Sequence, residues 1–135
     1  MSCPLVLSNY LINKLLLTLT NQGQWTAPTT VYLALYTTNP NPNNSGTEVS
    51  TSGGSGYVRQ AISWASVGSN LSVANNAVIT FPTASTNWGA ITYLALFDAV
   101  SGGNMLMFTP LASSILINSG SIFQTAIGNL TAAFQ

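Results

Sequence analysis

The apolar pattern of the chain changes once, and this change limits the folds that the chain can adopt. Leu11, Leu15 and Leu19 repeat every four residues, as on one face of a helix. Ser8 can cap the start of this segment, so a helix is predicted over about residues 8–20. From Trp25 onward only short β-rich runs remain, separated by turn residues. The pattern therefore predicts one N-terminal helix followed by an all-β domain.

The β-rich runs are short and roughly evenly spaced, which is typical of a sandwich or barrel. Between the first two runs, residues 39–56 are rich in Pro, Asn, Ser and Gly and are predicted to form flexible loops. The fold is predicted to be mainly β, a single antiparallel β-sandwich domain over residues 1–135, jelly-roll-like or Ig-like, with one helix. The predicted strands are Val31–Thr37, Tyr57–Trp64, Leu71–Ala74, Ala77–Phe81, Ile91–Phe97, Met105–Thr109, Ser114–Ile117, Ser121–Ala126 and Leu130–Phe134.

Two of the predicted strands have almost the same sequence. Tyr32-Leu33-Ala34-Leu35-Tyr36 recurs as Tyr93-Leu94-Ala95-Leu96-Phe97. The residues around them do not support a duplication well. We therefore expect two central strands, each buried on both faces, with Leu on one face and Tyr, Ala and Phe on the other.

Charged residues are scarce, and this affects how copies of the chain meet. They make up 3% of the 135 residues and sum to a net charge of zero. Low net charge favours association, so a homo-oligomer is predicted. Two basic residues are too few to neutralise a phosphate backbone, so nucleic-acid binding is not expected. The charged residues are Lys14, Glu48, Arg59 and Asp98.

Simple structural roles are predicted for three of these charges. Glu48 and Arg59 are expected to form an ion pair that holds the long loop to the sheet, worth only about 0–1 kcal/mol if exposed. Asp98 precedes a Gly-rich turn and can accept its N–H groups.

The chain lacks the residue types of common active sites. It has no histidine and one cysteine, Cys3, which excludes His-based triads and ordinary zinc sites. A glycosidase built on Glu48 and Asp98 is the weakest alternative. No enzyme activity, catalytic residue, cofactor or metal is therefore predicted.

The predicted helix has two interpretations. Leu11, Leu15 and Leu19 can pack into the core of the chain, or they can contact a partner protein. The longest apolar run near the N-terminus is Leu15–Leu17, too short to cross a membrane, and no secretory signal is visible. No membrane partner is therefore expected.

From residue 9 to the end the chain resembles a family of short phage virion proteins, often labelled tail-fibre or structural proteins. The resemblance depends on an ordered series of segments, although the Ser/Gly stretch between Val49 and Tyr57 is longer here, which affects the shape of that loop. After the Leu-rich helix the segments are Val31–Thr37 with Asn39-Pro40, Gly46–Ser50, Gly56–Gln60, Phe81–Ala84, Trp88-Gly89 with Ile91-Thr92, Leu96–Ala99 and Ser101–Asn104.

The resemblance implies a structural protein of the virion, made in the cytoplasm of the bacterial host. Fibres gain length from coiled coils or repeats, and the chain has neither. Small capsid cement or decoration proteins are similar in size and β-rich character. The first hypothesis is therefore a cement protein on the capsid exterior, bound between major capsid subunits.

The alternative is a tail or tail-fibre tip protein that adheres to the host. An adhesin would expose aromatic rings to sugars. Trp25, Trp64 and Trp88 could serve, but each lies in or beside an apolar strand, where core packing is the simpler expectation.

Overall fold

The computed structural model of the protein describes residues 5–133, so Cys3 and the last residue of the predicted strand Leu130–Phe134 lie outside it. The protein is mainly β, with one helix and antiparallel sheets. The elements are β1 (Val6–Leu7), α1 (Asn9–Leu19), β2 (Val31–Tyr36), β3 (Gln60–Ile62), β4 (Ser72–Ala74), β5 (Ile79–Thr80), β6 (Gly89–Phe97), β7 (Met105–Ile117), β8 (Gln124–Thr125) and β9 (Thr131–Ala133).

A five-stranded antiparallel sheet in the order β1-β7-β6-β2-β3 forms the main layer. Two small antiparallel sheets, β4–β9 and β5–β8, complete the β-structure of the described residues. Apolar side chains of the main sheet pack with Ile79, Phe81, Phe123 and Leu130 in one buried cluster. This two-layer packing confirms the predicted β-rich, sandwich-like fold class.

The two similar strands are neighbours in the main sheet. They pair antiparallel in a register that places Leu33 opposite Leu96 and Leu35 opposite Leu94. These leucines belong to the large core cluster. The alternate residues form a second buried cluster on the other face, made of Ala34, Tyr36, Ala95, Phe97, Met105 and Phe108. The prediction of two central strands with Leu on one face is confirmed.

The helix begins at Asn9 and ends at Leu19, close to the predicted bounds. Ser8 caps it, because its Oγ accepts a hydrogen bond from the N–H of Leu11 at 3.1 Å. The same hydroxyl donates to the carbonyl of Met105 at 2.5 Å, which attaches the start of the helix to β7. Residues 6 and 7 before the cap pair with β7 as a strand that sequence reasoning did not predict.

Strand β7 replaces two predicted strands, Met105–Thr109 and Ser114–Ile117. It continues through Pro110 because an irregularity in its pairing with β6 absorbs extra residues: Ile91 lies opposite Ile115, whereas Tyr93 lies opposite Pro110.

The predicted strand Tyr57–Trp64 is shorter than expected, with only Gln60–Ile62 in the ladder. At its ends the N–H of Tyr57 donates to Ser55 Oγ, and Trp64 forms an isolated bridge with Asn75.

The loops between β2 and β3 contain many hydrogen bonds. The N–H of Ser45 donates to the carbonyl of Pro40 at 2.7 Å, and the N–H of Val49 donates to the carbonyl of Leu35 at 3.0 Å. Ser55 Oγ donates to the carbonyl of Ser50 at 2.6 Å. These bonds hold Glu48 beside Tyr36 at the edge of the sheet.

Within residues 5–133, no helix is both long enough and apolar enough to span a bilayer.

Candidate functional site

The Arg59 network joins three segments that are distant in the sequence. Arg59 donates from Nε and Nη2 to the two carboxylate oxygens of Glu48, each at 2.8 Å. Its Nη1 donates to the carbonyl oxygens of Ala99 and Gly102 at 2.9 and 2.8 Å. The guanidinium carbon lies 3.6 Å from the centre of the Phe97 ring. The structure thus brings the predicted pair together and connects it to the turn after β6.

The ion pair is more buried than predicted. The side chains of Arg59 and Glu48 are 7% and 22% exposed. Bidentate charge-assisted hydrogen bonds in such surroundings are stronger than those of an exposed pair. The value of about 0–1 kcal/mol for exposed pairs therefore does not apply here.

Tyr57 completes the network. Its hydroxyl donates to Glu48 Oε1 at 2.7 Å and accepts the N–H of Leu35 at 3.0 Å. Burial and the neighbouring Glu48 charge raise the pKa of Tyr57. Burial lowers the pKa of Arg59, but hydrogen bonding and attraction to Glu48 outweigh this and raise it. Arg59 and Tyr57 therefore keep their protons at neutral pH, and the network acts as a structural connection.

Asp98 lies at the turn between β6 and β7, where it was predicted to accept turn N–H groups. Its Oδ1 accepts the backbone N–H of Asn104 at 2.7 Å, and its Oδ2 accepts the Asn104 side-chain amide at 3.1 Å. The N–H of Asp98 donates to the carbonyl of Asn104 at 3.2 Å. The carboxylate therefore closes the turn.

The three helix leucines proposed as partner contacts differ in exposure. Leu11 is only 4% exposed and belongs to the core, and Leu15 packs against that core. Both therefore act within the chain, which corrects the partner-contact interpretation for Leu11. Leu19 is 81% exposed, and Ile12 and Leu16 are exposed beside it. The free apolar face of the helix is thus Ile12, Leu16 and Leu19.

A groove of about 400 Å³ opens beside the buried face of α1. Its lining is almost wholly apolar and includes Leu11, Trp64 and Met107. Val67 and Leu71 also line it and are highly exposed. We use the name apolar surface for two sets of residues, the lining of this groove and the free face of the helix. Exposed apolar area of this kind typically marks a contact with another molecule.

The tryptophans contribute mainly to packing. Trp88 is buried, contacts Tyr57 and Phe81 edge-on, and donates from Nε1 to the carbonyl of Ser55 at 2.9 Å. Trp25 and Trp64 are partly buried against the same core. Core packing is therefore the role of Trp88 and a large part of the role of the other two.

Among residues 5–133, no three His, Cys, Asp or Glu side chains come together as a metal site would require.

The comparison with protein families covers nearly the whole chain. Residues 6–133 match the model of the family described as Podophage GP4 fiber I protein gp80. The chain belongs to this phage fibre protein family. A search of curated proteins gave no match. The fibre protein is therefore a structural protein of the virion, as the resemblance implied.

Sequence reasoning missed most partners in the Arg59 network of the fibre protein. The scarcity of charge indicated the Glu48–Arg59 pair. The carbonyls of Ala99 and Gly102 could not be found this way, because backbone acceptors carry no sequence signal, and no local pattern places the Phe97 ring against Arg59.

Proposed function

We propose that the protein is a component of the phage tail fibre, located at the tail and contributing to host adhesion. The observation that carries this proposal is the match of residues 6–133 to a fibre family. This match supports the tail-fibre alternative better than a capsid cement protein, which was the first hypothesis from the sequence.

We propose further that the protein works bound to other virion proteins and to copies of itself through the apolar surface. Each charged side chain already has a partner within the chain: Arg59 with Glu48, Asp98 with Asn104, and Lys14 over the ring of Tyr10. Copies that approach each other therefore meet little charge repulsion. The exposed side chains of Ile12, Leu16, Leu19, Val67 and Leu71 supply the area that association would bury.

Labelled particles would test the location. An epitope tag on the protein, detected by immunogold on intact virions and on separated heads and tails, should label tails. Gel densitometry of purified virions should give a few to a few dozen copies per particle. Label confined to heads, with hundreds of copies, would support the cement hypothesis and contradict this one.

We also propose that the protein is not an enzyme. The chain has no histidine. Of its two carboxylates, Glu48 is bound to Arg59 and Tyr57, and Asp98 is bound to Asn104. Purified protein incubated with host surface polysaccharide should release no reducing ends. Release that is abolished by Glu48→Gln or Asp98→Asn would contradict the proposal.

A further inference from the structure

A second cavity differs from the apolar groove because many of its lining residues are polar and uncharged. It has a volume of about 390 Å³, within the ~300–1,000 Å³ range of small-molecule pockets. Four asparagines from three separate segments line it, and none of its lining residues is charged. We call it the amide cleft, and its asparagines are Asn9, Asn43, Asn44 and Asn104.

The segments around the amide cleft are fixed to one another. The N–H of Asn9 donates to the carbonyl of Pro42 at 2.8 Å, which joins the helix start to the loop. The N–H of Asn44 donates to the carbonyl of Asn41 at 3.0 Å within that loop. The hydroxyl of Ser8 donates to the carbonyl of Met105, which attaches the helix start to the third segment that lines the cleft. A site held in this way loses little conformational entropy when a ligand binds.

Two of the asparagines bond a neighbouring side chain through one end of the amide, and for Asn104 this partner sets the orientation. Asn104 donates from Nδ2 to the carboxylate of Asp98, which can only accept, so its Oδ1 remains as an acceptor. Asn44 accepts the hydroxyl of Tyr36 on Oδ1 at 2.7 Å, so its Nδ2 remains as a donor. The cleft therefore presents a fixed acceptor on Asn104 and, with Oδ1 of Asn44 bound to Tyr36, a donor on Asn44. A ligand hydroxyl, which both donates and accepts, is complementary to this pair.

The remaining polar groups of the cleft are free to bind a ligand. Among residues 5–133, the side-chain amides of Asn9 and Asn43 and the hydroxyl of Tyr10 have no hydrogen-bond partner within the chain. One face of the Tyr10 ring is occupied by Lys14 Nζ, which lies 5.6 Å from the ring centre. A charged ligand would lose its hydration here without a free opposite charge in the lining.

We propose that the amide cleft binds a neutral saccharide through its hydroxyl groups. This inference rests on the proposed function, since a fibre component meets the surface polysaccharide of the host. In this proposal the donor of Asn44 and the acceptor of Asn104 bind hydroxyl groups of the sugar, and the free amides of Asn9 and Asn43 add further contacts.

Titration followed by ¹⁵N–¹H NMR tests the proposal directly on this 14.1 kDa protein. The probes are the methyl glycosides of glucose, galactose, rhamnose and N-acetylglucosamine, with methyl glucuronide as a charged comparison. At least one neutral glycoside should shift the backbone amides of residues 9–10, 43–44 and 103–104 in a saturable way. No saturable shift there with any neutral glycoside, or tighter binding of the glucuronide, would overturn the proposal.

Asn44→Asp is the sharpest variant, because it keeps an oxygen for Tyr36 and replaces the free donor by a charged acceptor. It should weaken binding of the neutral glycoside about tenfold, as expected for the loss of one hydrogen bond to the ligand. Asn43→Ala, which removes a free amide, should also weaken it and serves if Asn44→Asp fails to fold. Asn129→Ala removes an exposed amide outside the cleft and should leave affinity unchanged. Equal affinity in all three variants would refute the assignment, whatever location immunogold gives for the protein.

Discussion

Replacing Arg59 by Met should destabilise the fold far more than the loss of one ordinary surface charge. Methionine keeps much of the length of the side chain and can remain in contact with the Phe97 ring. It removes the hydrogen bonds to Glu48, Ala99 and Gly102. The change therefore isolates the polar part of the network from its packing.

The magnitude follows from the groups that lose their partner. Removing one member of a buried ion pair costs about 3–5 kcal/mol, because the other charge stays behind uncompensated. Glu48 is 22% exposed and keeps the hydrogen bond from Tyr57, so water and Tyr57 recover part of this loss. We expect a decrease of about 3 kcal/mol in the free energy of unfolding, at the lower end of that range.

Urea unfolding followed by tryptophan fluorescence measures this quantity. Lys14→Met is the matched control, since it removes the other positive charge, and it should cost no more than about 1 kcal/mol. Adding Glu48→Gln to Arg59→Met should show a coupling energy of at least about 1 kcal/mol in a double-mutant cycle. A cost for Arg59→Met equal to that of Lys14→Met, or no coupling, would refute the assignment of the network as a main stabilising element.

Three other predictions concern ionisation, backbone strain and assembly. Burial and the Glu48 charge raise the pKa of Tyr36 to about 12, whereas the unfolded chain loses this proton near pH 10. Between these values the unfolded state binds fewer protons than the folded state. The free energy of unfolding should therefore fall as pH rises from 10 to 12. Tyr36→Phe should reduce that slope in urea titrations, and an unchanged slope would contradict the account. Leu71 has φ +59° and is 78% exposed, so Leu71→Asn should raise the free energy of unfolding by about 0.5–1 kcal/mol in the same urea titrations, and no increase would contradict the assignment of strain at this residue. On purified virions the protein should stay attached in about 1 M NaCl and leave in mild denaturant, since apolar contacts are little affected by screening; release by salt alone would argue for charge-driven attachment.

The central sheet was predictable because its information is local. The alternation in residues 32–36 and 93–97 assigns Leu to one face and Tyr, Ala and Phe to the other, whatever the rest of the chain does. The helix was predictable for the same reason, since Ser8 and the leucine spacing lie within a few residues. Strand β1 was not predictable from the sequence, because its two residues become a strand only by pairing with β7.

The candidate sites were less accessible to sequence reasoning. The Glu48–Arg59 pair was indicated because so few charges exist to pair. The amide cleft was not indicated by the sequence. Its asparagines come from the helix start, a loop and a hairpin turn, and no repeating pattern in the sequence connects these segments. The continuous strand β7 was also missed, because Pro110 signals a break that the pairing irregularity opposite Tyr93 accommodates.

The pairing of β2 with β6 has a consequence for synthesis of the chain. The sequence of residues 32–36 reads the same in both directions, and residues 93–97 differ from it only at Phe97. The first segment leaves the ribosome well before its partner, and during that interval the same segment of another nascent chain offers an equivalent strand. Long-range β-pairing is slow and exposes unpaired edges meanwhile. Exchange of this strand between chains is therefore a misfolding route that the pairing of β2 with β6 makes available, and chaperone binding to the first segment would suppress it.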